Sequence, residues 1–440
     1  MGVRTWVEGW PVYRQLTGTD RLGRGAAAES AHTSSLTPRT STADRMVQSV
    51  CPYCAVGCGQ QVYVKDEKVV QVEGDPDSPV SRGRLCPKGS ATLQLTTGPS
   101  REHRVLYRRP YGTEWESLDL STAMDMIADR VIRTRADTWE WEAGDLRVRR
   151  TLGIASLGGA TLDNEENYLI KKLLTALGVV QVENQARVCH SSTVAALGTS
   201  FGRGGATTFM QDLQNSDCIV IQGSNYAEAH PVGFQWVMEA KARGATIIHV
   251  DPRYTRTSAV ADIYVPLRAG SDIAFLGGII NHVLTTESYF RDYVVNYTNA
   301  ATILREDFKD TEDLDGVFSG LNEETRHYDT DSWLYEGMDV VAASGERDRG
   351  YDRRSHGGAS IQEAARGESH GAGGAALGRG TPQRDETLSH PRCVFQVLKR
   401  HFSRYTPEMV YEVCGVPPEL FAKVCDALVR NSGRDRTSAF

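Results

Sequence analysis

The order of apolar and polar positions divides the chain into a small strand-rich segment, a long alternation of strands and helices, and two stretches without any period. Val62-Tyr63-Val64 and Val69-Val70-Gln71-Val72 flank the polar Lys65-Asp66-Glu67-Lys68, a hairpin pattern of β-branched residues around a turn. Gly74-Asp75-Pro76-Asp77 forces a second turn. Ala123, Met126, Ile127 and Val131 then fall at helical spacing behind Ser121, a capping side chain. The basic and aromatic Trp139 to Arg150 reads as a loop.

After Thr151 the pattern changes. Leu152 to Leu157 is a buried-strand candidate, Gly158-Gly159 a turn, and Asn164 to Leu177 an amphipathic helix ended by Gly178. Cys218 to Ile221, Ala245 to Val250 and Ile263 to Leu267 repeat the strand signal, with helices expected at 231–243 and 272–284. Strands alternating with helices predict an α/β fold, a parallel sheet covered by helices, which binds ligands at the carboxyl ends of its strands. The segments without period are the N-terminal stretch to Arg45, read as a loose extension, and Ala342 to about Arg384. In the latter, Gly, Ala, Arg, Ser and His leave too little apolar surface to offset ordering entropy, so a flexible insertion is expected. Helical spacing returns at Cys393 to His401 and Pro407 to Val429, where Cys393, Cys414 and Cys425 read as core thiols.

Composition narrows the function classes. A length of 440 residues allows two or three domains, and a net charge of -7 does not favour a sequence-independent grip on nucleic acid or anionic lipid. No run reaches the ~18 apolar residues of a membrane span. The first 46 residues also lack an apolar leader core and a paired-arginine motif, so a cytoplasmic chain without direct membrane insertion is expected.

Chemistry enters with Cys51, Cys54, Cys58 and Cys86, spaced C-x2-C-x3-C-x27-C. Four thiolates supply one ligand to each iron of a cubane cluster, three from a short loop and the fourth from a distance. Zinc is the alternative at this point, although four-cysteine zinc sites more often arrive as two C-x2-C pairs. Nine cysteines are an odd set for paired disulfides. Three strand ends carry a second group of clues: Gln222-Gly223-Ser224-Asn225, Asp251-Pro252-Arg253 and Arg268-Ala269-Gly270-Ser271-Asp272. Glycine admits backbone amides to a phosphate, aspartate can accept two hydrogen bonds from a guanine edge or a ribose, and arginine forks onto phosphate. Each alone is also ordinary turn chemistry, and no G-x-G-x-x-G or Walker fingerprint accompanies them. Finally, Cys189 in Arg187-Val188-Cys189-His190 precedes a helix whose N-terminus can stabilise a thiolate, for a metal ligand or a nucleophile. A buried inert cysteine is the alternative.

Taken together, these residues resemble the bis-molybdopterin guanine dinucleotide oxidoreductases, and among them the catalytic α subunit of formate dehydrogenase. The resemblance runs from Ser49 to Gly320 and from Leu388 to Ser432. It is carried by the cysteine set ending Cys86-Pro87-Lys88-Gly89, by Asp163-Asn164-Glu165-Glu166-Asn167-Tyr168, Val188-Cys189-His190, Phe201-Gly202-Arg203-Gly204, Glu228-Ala229-His230-Pro231-Val232-Gly233-Phe234 and His390-Pro391-Arg392-Cys393-Val394-Phe395.

The resemblance implies a small strand-rich iron-sulfur domain followed by Rossmann-like parallel-sheet domains, with the C-terminal half of the family fold missing. The expected segments are an extension over 1–46, the cluster domain over 47–105 and the first part of a molybdopterin-binding α/β domain over 106–188. A Rossmann-like dinucleotide-binding domain over 189–341, the insertion over 342–387 and a truncated helical return over 388–440 complete the chain. It implies a 4Fe-4S cluster on Cys51, Cys54, Cys58 and Cys86, with Lys88 as a charged bridge to the pterin. Cys189, at a position that is cysteine or selenocysteine in the family, is implied to bind molybdenum or tungsten. His190 is implied to be a proton acceptor or an electrostatic partner of formate, and Gly158, Gly223, Asn225, Glu228, Asp251, Arg253, Gly270 and Asp272 to be cofactor contacts. Formate is the implied substrate, and an iron-sulfur or flavin subunit the electron acceptor. A separate chain is a candidate source of the missing half. Nitrate reductases resemble the chain next best, but there the metal ligand is usually followed by Met rather than by a residue such as His190. The class alternative is an inactive fragment that holds only the cluster.

Overall fold

The computed structural model describes residues 2–18, 30–185, 191–202, 206–340 and 378–440. Two compact units divide the chain, Met1–Glu102 and His103–Phe440.

In the first unit the N-terminal stretch contains short helices at Val3–Glu8, Pro11–Thr17 and Ala31–Ser35 rather than only loose chain, and the first and third bury no side chain. Strands β1 (Arg45–Val50), β2 (Gly59–Lys65) and β3 (Lys68–Gly74) form an antiparallel sheet in that order. The expected hairpin is β2–β3, and its tip residues Asp66 and Glu67 both take the left-handed conformation that a tight two-residue turn requires.

The second unit begins with a short antiparallel hairpin, β4 (Val105–Tyr107) and β5 (Glu116–Leu118). The helix Leu120–Asp137 follows, and its cap is Asp119, whose carboxylate accepts from the Thr122 N–H at 2.9 Å, not Ser121. Trp139 to Arg150 is no loop. Its Trp-Glu-Trp-Glu and Leu-Arg-Val-Arg alternations place it in β6 (Trp139–Ala143) and β7 (Leu146–Leu157), an antiparallel pair joined at Gly144-Asp145. β8 (Val179–Glu183) adds parallel to β7 after the helix Asn164–Ala176. Leu152 to Leu157 is thus a strand but not a buried one, since Leu157 is 84% exposed.

The main sheet combines β9 (Cys218–Gln222), β10 (Thr246–Val250) and β11 (Ile263–Val265), all parallel. A long return carries one small hairpin, β12 (Leu321–Asn322) with β13 (His327–Tyr328), and an antiparallel pair, β14 (Met338–Val340) with β15 (Gly378–Gly380). β15 falls inside the stretch expected to be flexible; the part of that stretch up to residue 377 lies outside the described residues. β16 (Ser438–Ala439) closes the sheet beside β9, giving the order β11-β10-β9-β16.

Helices cover both faces of this sheet, which is why its strands read as nearly continuous apolar runs. On one side Val220, Ile248, Val250 and Val265 pack with Phe275 of the helix Asp272–Thr285 and with Val410, Phe421 and Val424 of the helices Pro407–Cys414 and Pro418–Arg430. On the other, Ile219, Ile221 and Ile247 meet Phe234, Val237 and Ala240 of the helix Pro231–Ala242. The returning helices therefore complete the α/β core, and Cys393, Cys414 and Cys425 are buried thiols within the unit. No helix of the described residues is long and apolar enough to cross a membrane.

Candidate functional site

The cysteines are placed by the small sheet. Cys51 directly follows β1 and Cys58 directly precedes β2, and the Cys51 N–H donates to the Cys58 carbonyl at 2.9 Å, closing the loop that carries Cys54. Cys86 caps the short helix Pro87–Ser90, which also carries Lys88. Gln60, only 1% exposed, fastens that helix to β2: its Nε2 donates to the Gly89 carbonyl at 3.0 Å and to Thr92 Oγ1 at 2.9 Å, while Thr92 Oγ1 donates to the same carbonyl at 2.7 Å.

All four thiols are free and lie within electrostatic reach of one another. Burial pushes the Cys58 thiol up to about 11, with the charges of Cys51, Cys54 and Cys86 adding to the effect. Burial likewise raises Cys51, opposed by a backbone hydrogen bond at Tyr53 and, more weakly, by the positive charge of Lys88. Such crowding disfavours four bare thiolates and is relieved when cationic metal binds them. Among the described residues no three of His, Cys, Asp or Glu converge as a single-ion shell. The all-thiolate donor set suits a cubane iron-sulfur cluster, which takes one cysteine per iron.

A second polar region forms where β9, β10 and β11 end. β9 lies between β10 and β16, so the chain order reverses there, and such a reversal opens a crevice beyond the carboxyl ends of the strands. Gly223 follows β9 and Gly270 precedes the helix Asp272–Thr285; both have positive φ, and a Cβ on either would meet nothing within 4 Å. Their backbone is open to a ligand. Asp272 Oδ1 accepts from Gln222 Nε2 at 2.7 Å, which joins the first strand end to the third. Asn225 Nδ2 donates to Glu228, whose Oε1 pairs with Arg256 Nε at 2.9 Å. Asp251 Oδ1 accepts from the Arg253 N–H at 2.8 Å, and the Tyr264 hydroxyl donates to the Asp251 carbonyl at 3.0 Å.

Seven of the sequence-predicted contacts therefore share one end of one sheet: Gly223, Asn225, Glu228, Asp251, Arg253, Gly270 and Asp272. Gly158 belongs to a different sheet, β6-β7-β8, at the end of β7, where its N–H donates to the Glu183 carbonyl at 2.7 Å. Cys189 and His190 lie outside the described residues. Sequence reasoning missed Gln60, His249, Thr257 and Ser258. The available signal was a polar residue inside an apolar run, as in Ile247-Ile248-His249-Val250.

Residues 44–98 match the molybdopterin oxidoreductase Fe4S4 domain and residues 114–322 the molybdopterin oxidoreductase domain. The chain belongs to the molybdopterin oxidoreductases, as its sequence motifs led one to expect. Formate dehydrogenase subunits are among its relatives. It is 44% identical over 94% of its length to "Formate dehydrogenase subunit alpha" of Megalodesulfovibrio gigas, and 40% identical over 90% to "Formate dehydrogenase-O major subunit" of Escherichia coli (strain K12). The chain spans 37% and 36% of those proteins. Acetylene hydratase from Pelobacter acetylenicus has a similar fold, with a TM-score of 0.54 at 18% identity over 87% of this chain and 38% of that one.

Proposed function

We propose that the chain is the cofactor-bearing part of a formate dehydrogenase α subunit, which oxidises formate to carbon dioxide, one proton and two electrons. The observation that carries this reading is the 44% identity, over 94% of the chain, to a formate dehydrogenase α subunit. When bound, a bis-molybdopterin guanine dinucleotide with molybdenum or tungsten supplies the two-electron acceptor, and a 4Fe-4S cluster the one-electron relay.

The chain's own residues then divide the work. Cys51, Cys54, Cys58 and Cys86 hold the cluster, and the Lys88 ammonium beside Cys51 favours the added negative charge of the reduced state. Gly223 and Gly270 let backbone approach a phosphate of the cofactor, and Arg253 forks onto it. Asp251 and Asp272 offer carboxylates to a guanine edge or a ribose, with Asn225 and Glu228 beside them, while Gly158 contacts the pterin side. Cys189 is the protein ligand to the metal, and His190 accepts the proton that formate loses. Electrons leave to an iron-sulfur or flavin subunit.

The test is elemental analysis of anaerobically purified chain with formate-dependent dye reduction by the complete enzyme. About four irons with one molybdenum or tungsten per chain are expected. Cys189→Ala should keep the iron and abolish dye reduction. Unchanged turnover in that variant would remove Cys189 from the site, and a chain that binds zinc instead of iron would overturn the cluster.

A further inference from the structure

The two loops that follow β9 and β10 are joined by a buried polar chain that neither the metal nor the substrate explains. His249, on β10, is 0% exposed. Its Nε2 lies 3.1 Å from the Ser224 carbonyl, in the loop after β9, and its Nδ1 lies 2.8 Å from Ser258 Oγ, in the single helical turn Arg256–Val260 after β10. A carbonyl only accepts, so Nε2 carries the hydrogen and Nδ1 accepts from the Ser258 hydroxyl. Ser258 Oγ in turn accepts from the Thr255 N–H at 2.8 Å. Every donor in the chain is thereby assigned: Thr255 N–H to Ser258, Ser258 O–H to His249, and His249 N–H to Ser224.

A second link runs alongside. The Thr257 hydroxyl, fully buried, donates to Asn225 Oδ1 at 3.1 Å and accepts from the Ala227 N–H at 3.0 Å. Burial holds His249 below the usual imidazole range, although the Ser224 carbonyl and Asp251 pull the other way, so the ring is neutral, as the assigned hydrogen bonds require. A histidine that merely filled the core could be replaced by any apolar side chain of its size. This one has both nitrogens engaged, each with a different loop.

We infer that His249 is a positioning residue that locks the Ser224 loop and the Ser258 turn in register, so that Asn225, Glu228, Asp251 and Arg253 converge on one ligand. For the identity of that ligand, a guanine dinucleotide arm, the inference rests on the function proposed above. The lock itself does not. His249 touches no ligand; it acts through the two loops.

Hydrogen exchange of the 440-residue chain tests the lock with no ligand present, and guanosine diphosphate, titrated by calorimetry, tests its consequence. His249→Phe keeps a ring but breaks both bonds, and amides of 224–229 and 255–259 should exchange about tenfold faster or more, the order expected for losing a buried hydrogen bond in each loop. His249→Asn restores an acceptor near the Nδ1 position and should rescue the 255–259 segment alone. Ser258→Ala, which leaves the ring in place, should loosen 255–259 while 224–229 stays protected. Wild-type exchange in both loops of the folded Phe variant would overturn the lock, as would equal loosening of both loops in Asn and Phe. If the variants behave as expected while the wild-type chain takes up no guanosine diphosphate, the lock stands and the ligand assignment falls.

Discussion

At the scale of single residues, the cluster region depends on a side chain with no metal chemistry of its own. Gln60 spends both hydrogens of its amide on the segment that follows Cys86, and it does so out of reach of water. Replacing it by Leu keeps the approximate volume but removes both bonds, and because the Gly89 carbonyl keeps the Thr92 hydroxyl the loss is about 0.5–1.5 kcal/mol for each. The fourth cysteine then samples more positions while the first three, held by the Cys51–Cys58 backbone bond, do not. Gln60→Leu should therefore lose iron on air exposure several-fold faster than wild type, followed by bleaching of the cluster's visible absorbance, with far-ultraviolet circular dichroism unchanged. Equal bleaching rates would show that Cys86 is placed by something else. Gln60 escaped the sequence reading because Gln-Gln at the start of a strand looks like a solvated edge, and only the folded chain shows that one of the two points inward.

Among the strands of the second unit, those apolar on both faces are legible in the sequence, whereas those with one face toward water are legible in part or not at all. The expected limits of β9, β10 and the helices that flank them lie within a residue or two of those observed, because burial on both sides leaves few polar interruptions, His249 among them. β6 reads as a loop in the sequence because its alternation places charged residues on every second position of a run rich in Trp, Glu and Arg. β7 was found in part but assigned to the core, since a short apolar run does not reveal what lies against it. At the site, the cysteines were legible from spacing and the strand-end residues from their glycines, whereas His249 was hidden by its own apolar neighbours. The helix Asp272–Thr285 shows what the pattern cannot express: it approaches its partners so closely that a Cβ on Gly278 would lie 2.5 Å from Val410 Cγ2 and 2.9 Å from Phe421 Cζ. Gly278→Val should destabilise the chain by about 1–3 kcal/mol through overpacking, read as a lower urea midpoint at unchanged slope. A midpoint equal to that of wild type would mean that the returning helices can move away at no energetic penalty.

For the whole molecule, burial is unevenly distributed, and stability should follow it. β9 and β10 lie between two layers of helices, with Cys218, Ile247, Ile248 and Val250 almost wholly inaccessible. β6, β7 and β8 form a separate sheet on which Leu152 and Leu157 are exposed, and the helix Asn164–Ala176 beside it exposes Tyr168, Leu169 and Leu173. β6 pairs with β7 only as far as Thr151, so the last six residues of β7 have a partner on one edge and none on the other among the described strands. Opening that end of the sheet exposes little additional apolar surface, whereas opening β9 or β10 exposes two cores at once. Amides of β7 from Leu152 to Leu157 should therefore exchange by local opening, roughly hundredfold faster than those of β9 and β10, which exchange only with global unfolding. A fluorescent apolar dye should bind the native chain at the same surface, and its signal should fall when Leu157, Leu169 and Leu173 are replaced together by Ser, without loss of protection in β9 and β10. Equal protection of the two sheets in dilute monomeric chain would mean that the exposed leucines are covered in solution, and the uneven distribution of stability argued from their exposure would be wrong.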